Sequence, residues 1–208
     1  MKDPNDSIET TKFCVFTFFL FFYLWSYIKT LATDPGHIPL YWGFWAGDSA
    51  ETWKRYCVIC NIFKPDRTHH CSTCNVCVLN MDHHCPWLNS CIGFWNRKTF
   101  ILMLIYLNGI VITFFVSFIM NYYLMVLSIL EFLSTWESIH SFRGPNGKME
   151  FAFQIALLFI LFIMCVLSKF TWYHLKLIKE NKTTIQNLSH NHMPYQCEFD
   201  LGFEHNFT

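Results

Sequence analysis

Charge is what this sequence has least of: 14% of its 208 residues are Asp, Glu, Lys or Arg, against about a quarter in ordinary soluble domains. Apolar residues make up 53%, the aromatics among them 19% of the chain, which excludes a soluble domain of ordinary composition. Neither sign is in excess. Fifteen bases and fifteen acids leave a formal net charge of zero, so nucleic acid is not expected as a partner. No charged residue occurs between Thr99 and Leu130. No small-residue cleavage site follows the first apolar block, which argues for a retained span over a signal peptide. The C-terminal tail carries no motif that names an organelle.

What is present gathers into three apolar blocks around a polar, cysteine-rich centre. Segments 13–32, 99–126 and 151–175 each suffice to cross a bilayer as a helix at about 1.5 Å per residue. Lys29 is placed to snorkel from the end of the first, and the apolar run from Thr99 to Leu130 exceeds one crossing, so it must tilt or protrude. Asn108 and Gly109 in the second block are expected to pack against a neighbouring helix. The sequence is read as an α-helical polytopic membrane protein with three transmembrane helices. The polar segments are 1–12, 33–98, 127–150 and 176–208. Lys54, Arg55, Lys64, Arg67, Arg97 and Lys98 flank the centre, and Lys176, Lys179 and Lys182 open the tail. The positive-inside rule puts these two segments in the cytosol, and 1–12 and 127–150 on the lumenal or extracellular side. The sequon Asn5-Asp6-Ser7 should then face the lumen.

Seven of the ten cysteines lie between Cys57 and Cys91, on the side assigned to the reducing cytosol. Disulfides are disfavoured there and metal binding is the expected use. Cys57 and Cys60, then His70, Cys71, Cys74 and Cys77, then His83, His84, Cys85 and Cys91 supply the donors. Six cysteines and two histidines would fill two tetrahedral sites and leave one thiol spare. Spacing alone does not say which cysteine is spare, and a purely structural zinc module with one idle thiol fits the count equally.

The order Cys57-x2-Cys60-x9-His70-Cys71-x2-Cys74-x2-Cys77-x4-Asp82-His83-His84-Cys85-Pro86-Trp87-x3-Cys91-x4-Asn96-x3-Phe100 resembles the DHHC family of protein S-acyltransferases across the whole centre. That resemblance implies two interleaved zinc sites, Cys57, Cys60, His70 and Cys77 in one and Cys71, Cys74, His84 and Cys91 in the other. His69 falls outside both sets. The resemblance makes Cys85 the nucleophile, His83 its base and Asp82 the carboxylate that orients the imidazole. It implies protein S-palmitoylation, in which a long-chain acyl group passes from acyl-CoA to Cys85 and then to cysteines of membrane-associated proteins facing the cytosol. Palmitoyl-CoA is the expected co-substrate and two structural Zn2+ the expected metals. Arg97 and Lys98, at the start of the second span, are candidate contacts for the CoA phosphates.

Further matches lie outside the centre. Asp34-Pro35-Gly36 follows the first span, as a similar motif does in the family, and a turn is expected there. Thr183-Thr184-Ile185-Gln186 stands where the family has Thr-Thr-x-Glu, so the charge of the acid is lost. Asn206 is the expected polar anchor of a C-terminal motif. Trp87 and Asn96 complete the set of motif positions. Family members usually have four spans, and a three-span chain is expected to leave the acyl cavity open to lipid on one side, with an accessory membrane subunit as a candidate partner. The expected location is the endomembrane system, in the Golgi or endoplasmic reticulum, or the plasma membrane.

Overall fold

A computed structural model describes residues 4–39, 42, 55–121 and 145–189. Three long helices bracket a module of short hairpins. Helix α1 runs Pro4–Ala32, α2 Arg97–Asn121 and α3 Pro145–Lys179, and a short α4 covers Thr184–Ser189. Stretches Ser7–Ala32, Arg97–Ile119 and Ile155–Lys179 are long and apolar enough to cross a membrane, so the chain is an integral membrane protein of helical class. Helix α1 starts well before the expected 13, at Pro4 just ahead of the sequon, because Pro at a first helical position costs no hydrogen bond. The hydroxyls of Thr11, Thr17 and Thr30 bond back to carbonyls four residues earlier, so these polar groups are satisfied within the helix. Segment 122–144, with most of the expected outer loop, and segment 190–208, with Asn206, lie outside the described residues.

The chain divides into two compact units, Met1–Tyr23 with Leu104–Phe170 and Leu24–Met103 with Thr171–Thr208. In the first, Phe22 stacks on Tyr106 at 5.3 Å. Phe19 lies across Gly109, and Ser168 donates to Asn108 at 3.0 Å, so both residues expected to pack between helices do so.

In the second unit three antiparallel hairpins follow one another: β1 (Tyr56–Cys57) with β2 (Ile62–Phe63), β3 (His69–Cys71) with β4 (Val76–Val78), and β5 (His83–Cys85) with β6 (Ser90–Ile92). They are copies of one another in register. Tyr56 pairs with Phe63, His70 with Cys77 and His84 with Cys91. The turns read Cys57-Val58-Ile59-Cys60-Asn61, Cys71-Ser72-Thr73-Cys74-Asn75 and Cys85-Pro86-Trp87-Leu88-Asn89, each one fourteen residues after the last. Each closes on an asparagine with positive φ, 55°, 56° and 46°, a conformation that Asn tolerates better than most residues.

The loop after α1 is pressed onto this module. Asp34 Oδ1 accepts from the Gly36 and His37 amides at 2.6 and 2.8 Å, the expected turn, and Gly36 takes a φ of 113° that a side chain would strain. The Gly36 carbonyl accepts from the Leu79 amide at 2.8 Å. A Cβ on Gly93 would lie 2.3 Å from the Pro35 carbonyl oxygen, so only glycine lets the two segments meet.

Candidate metal centres and nucleophile

The donor atoms of Cys57, Cys60, His70 and Cys77 lie within 4.8 Å of one another, and so do those of Cys71, Cys74, His84 and Cys91. In the first cluster the sulfurs of Cys57, Cys60 and Cys77 stand 3.7, 3.2 and 3.9 Å from His70 Nδ1. In the second, those of Cys71, Cys74 and Cys91 stand 3.7, 3.4 and 3.8 Å from His84 Nδ1, with Cys74 and Cys91 sulfurs 3.6 Å apart. Ligands about 2.3 Å (sulfur) and 2.0 Å (nitrogen) from one tetrahedral ion stand roughly 3.5–3.8 Å apart, so both clusters have the size of a metal site. Their chemistry agrees. Burial and the sulfurs of Cys57 and Cys60 push the Cys77 thiol far above its usual range, and burial with Cys71 and Cys74 does the same at Cys91. Three crowded sulfurs ionise together only around a cation.

The hairpin repeat explains the order of the ligands. Each turn gives its two cysteines to one cluster, and the next hairpin completes that cluster with a histidine on its first strand and a cysteine on its second. The third turn has no hairpin after it, and its second cysteine position is Leu88. Cys85 therefore occupies the position of a metal-binding cysteine and belongs to neither cluster.

Around Cys85 stand a buried carboxylate and an imidazole. Asp82, fully buried, accepts from His83 Nδ1 at 2.8 Å through Oδ2. The Thr184 amide and hydroxyl donate to the same carboxylate at 2.9 and 2.8 Å, and Arg97 Nη2 lies 3.4 Å from Oδ1. Burial alone would raise the Asp82 pKa, but His83, Arg97 and the Thr184 amide outweigh it and hold the acid well below the usual carboxylate range. Burial alone would lower His83, but hydrogen bonds with Asp82 and Cys85 outweigh it and raise the imidazole to about 9. Burial opposes ionisation of Cys85 too, yet the hydrogen bond with His83 and the amides of Leu88 and Trp87 bring its thiol below the usual value. Each of the three shifts favours the charged form, carboxylate at Asp82, imidazolium at His83 and thiolate at Cys85.

The remaining motif residues frame this pair. Asn96, fully buried, accepts from the Gly93 amide at 2.9 Å and donates to the carbonyls of Cys91 at 2.9 Å and Thr30 at 3.4 Å, which pins the end of β6 to α1. Thr183 and Gln186 form a reciprocal cap on α4, the Gln186 amide bonding Thr183 Oγ1 at 3.2 Å and the Thr183 amide bonding Gln186 Oε1 at 3.0 Å. Gln186 Oε1 also accepts from Arg67 Nε and Nη2 at 3.1 and 2.9 Å. The lost charge leaves that contact in place. Arg97 turns inward, to Asp82 and the Lys182 carbonyl, whereas Lys98 is exposed. Trp87 is 92% exposed at the tip of its turn. His69 stands on β3 opposite Val78, outside both clusters.

Three residues of this neighbourhood escape a reading of the sequence. Arg67 and Asn181 are joined across the chain, Arg67 Nη1 donating to Asn181 Oδ1 at 3.1 Å. His174 lies beside Asp82 and His83. Its signal is a histidine inside an apolar span, where ionisable residues are scarce and functional by default.

The DHHC palmitoyltransferase family profile matches residues 50–191. The probable protein S-acyltransferase 12 of Arabidopsis thaliana is 33% identical over 93% of this chain and 66% of its own length, and the palmitoyltransferase ZDHHC20-A of Danio rerio is 31% identical over 99% and 62%. The probable protein S-acyltransferase 13 of Arabidopsis thaliana is 34% identical over 92% and 67%. This chain thus spans slightly less than two thirds of the first two relatives. With a family match over most of its length and both Cys3His clusters assembled, the chain belongs to the DHHC palmitoyltransferase family.

Proposed function

We propose that this protein is a protein S-acyltransferase that carries a long-chain fatty acyl group on Cys85. The observation that supports this most is the hydrogen-bonded series Asp82, His83, Cys85, which ends on the one cysteine of the centre outside both metal clusters. In the first step the Cys85 sulfur attacks the thioester carbonyl of acyl-CoA. The carbon–sulfur bond to CoA breaks, and the proton held on His83 passes to the departing CoA sulfur. In the second step a cysteine thiol of a protein substrate gives its proton to His83 and attacks the acyl carbonyl, and the carbon–sulfur bond to Cys85 breaks to return Cys85 as thiolate. Each step exchanges one thioester for another, so no nucleotide or redox cofactor is needed. Catalysis rests on positioning and proton handling.

In this reading both metals are Zn2+, bound by the two Cys3His sets. Sulfur and imidazole donors in tetrahedral order suit zinc, and its part is to hold the hairpins in shape. A sixteen-carbon chain carries roughly 10 kcal/mol of transfer free energy at about 0.8 kcal/mol per CH2, which is the reason to keep it among spanning helices. The centre and tail face the cytosol by their lysines and arginines, and substrates are membrane-associated proteins on that face. Lys98, exposed where Arg97 is not, is the better candidate for a CoA phosphate. Golgi or endoplasmic reticulum membranes are the proposed location.

Incubation of the detergent-solubilised protein with labelled palmitoyl-CoA tests the proposal. Wild type is expected to take up a hydroxylamine-sensitive label and Cys85→Ala none. Equal labelling of the two would overturn the role of Cys85.

A further inference from the structure

One buried imidazole takes no part in that cycle. His174 is 2% exposed, on the face of α3 that it shares with Thr171 and Leu177 at 7% and 2%. These three stand three residues apart, the spacing of one helix face, while Trp172 beside them is 72% exposed. The His174 ring centre lies 5.6 Å from that of His83 and 5.4 Å from that of Phe100, and His83 and Phe100 are 5.3 Å apart. The three rings form a closed triangle. Tyr173 borders it, 5.5 Å from His174. His174 Nδ1 stands 3.8 Å from Asp82 Oδ2, the oxygen that His83 engages at 2.8 Å.

Hydrogen bonds with Asp82 and Cys85 tie the His83 ring and leave it free to rock about the line between them. Phe100 and His174, 5.3 and 5.6 Å from its centre and 5.4 Å from each other, pack side by side against one flank of the ring and remove that freedom. The second ring nitrogen of His83 then stays directed at Cys85. We infer that His174 is a positioning residue for acyl transfer, acting through its flat ring to hold the His83 imidazole between Asp82 and Cys85. The inference rests on the acyltransferase reading. It assigns His174 no proton and no contact with the acyl group. A misplaced catalytic group costs up to about a hundredfold per ångström, which sets the size of the effect.

The test compares the full chain in detergent with His174→Ala, His174→Phe and His174→Leu. The readouts are the maximal rate of self-acylation, the half-saturating palmitoyl-CoA concentration and the bound metal. His174→Ala is expected to lower the maximal rate by about tenfold to a hundredfold with half-saturation and metal content unchanged. His174→Phe keeps a flat ring and should recover most of the rate; His174→Leu, of similar bulk without the ring, should remain slow. A wild-type rate in His174→Ala, a loss seen only in half-saturation, or equal rates for Phe and Leu would each overturn the inference. Should His174→Ala fail to fold, the comparison of Phe with Leu decides alone. Wild type and Cys85→Ala run alongside: labelling of both or of neither removes the acyltransferase reading, and the inference with it, whereas labelling of wild type only isolates the question of His174.

Discussion

Asp82 shows how much one side chain is asked to do here. It is buried completely, yet His83, Thr184 and Arg97 surround it with donors from β5, the start of α4 and the start of α2. Asp82→Asn keeps the shape but replaces an acceptor oxygen by an NH2 and weakens the hold on the His83 tautomer. The expected loss in single-turnover acylation is about a hundredfold or more, with metal content retained. A near-normal rate would show that His83 is oriented by something else. The chemistry-bearing residues were legible because cysteines, histidines and the acid sit in one ordered run. Arg67, Asn181 and His174 were not, since each meets its partner across 90 or more residues of chain and no local pattern marks the meeting. Gln186 was legible only as a missing charge. Its amide caps α4 and receives Arg67, functions that need an oxygen and no charge.

At the scale of elements, α4 is six residues long and depends on its cap. Gln186→Ala removes the reciprocal bond with Thr183 and the Arg67 contact, and should cost about 1 kcal/mol, seen as a lower melting temperature in detergent. Gln186→Glu places a charge against Arg67 and should raise that temperature. The joint between the Asp34 turn and β6 is less forgiving. Gly93→Ala sets a methyl 2.3 Å from the Pro35 oxygen and 2.6 Å from Val78 Cγ1, and should destabilise by about 1–3 kcal/mol or more; unchanged melting would contradict the close approach. The spanning helices could be foreseen from their length of apolar sequence, although not their ends, because α1 continues into polar residues that tolerate helix. The hairpins could not. Strands of two or three residues have no periodicity to read, and ligand geometry and the αL asparagines fix them instead.

Over the whole molecule, the two Cys3His clusters sit inside the small cores of the cysteine-rich module, among Val78 and Met81 in one and Ile62 in the other. His84→Ala should release one ion of the two while leaving the first cluster intact, as metal analysis would register. Retention of both ions would overturn this division of ligands. Exhaustive chelation should loosen all three hairpins and abolish self-acylation. Loss of the second ion alone should be nearly as harmful, since His84 and Cys91 tie both strands of the last hairpin to it.

That last hairpin therefore has a fixed frame and a turn with no metal duty. Strands β5 and β6 are fastened through His84 and Cys91, while Pro86, Trp87 and Leu88 between them bind no ion. Of the three, Trp87 is 92% exposed and Leu88 only 6%, and the amides of both reach the Cys85 sulfur. The turn that carries Cys85 is thereby held from both ends by its strands, so the thiol keeps its place without spending a ligand of its own.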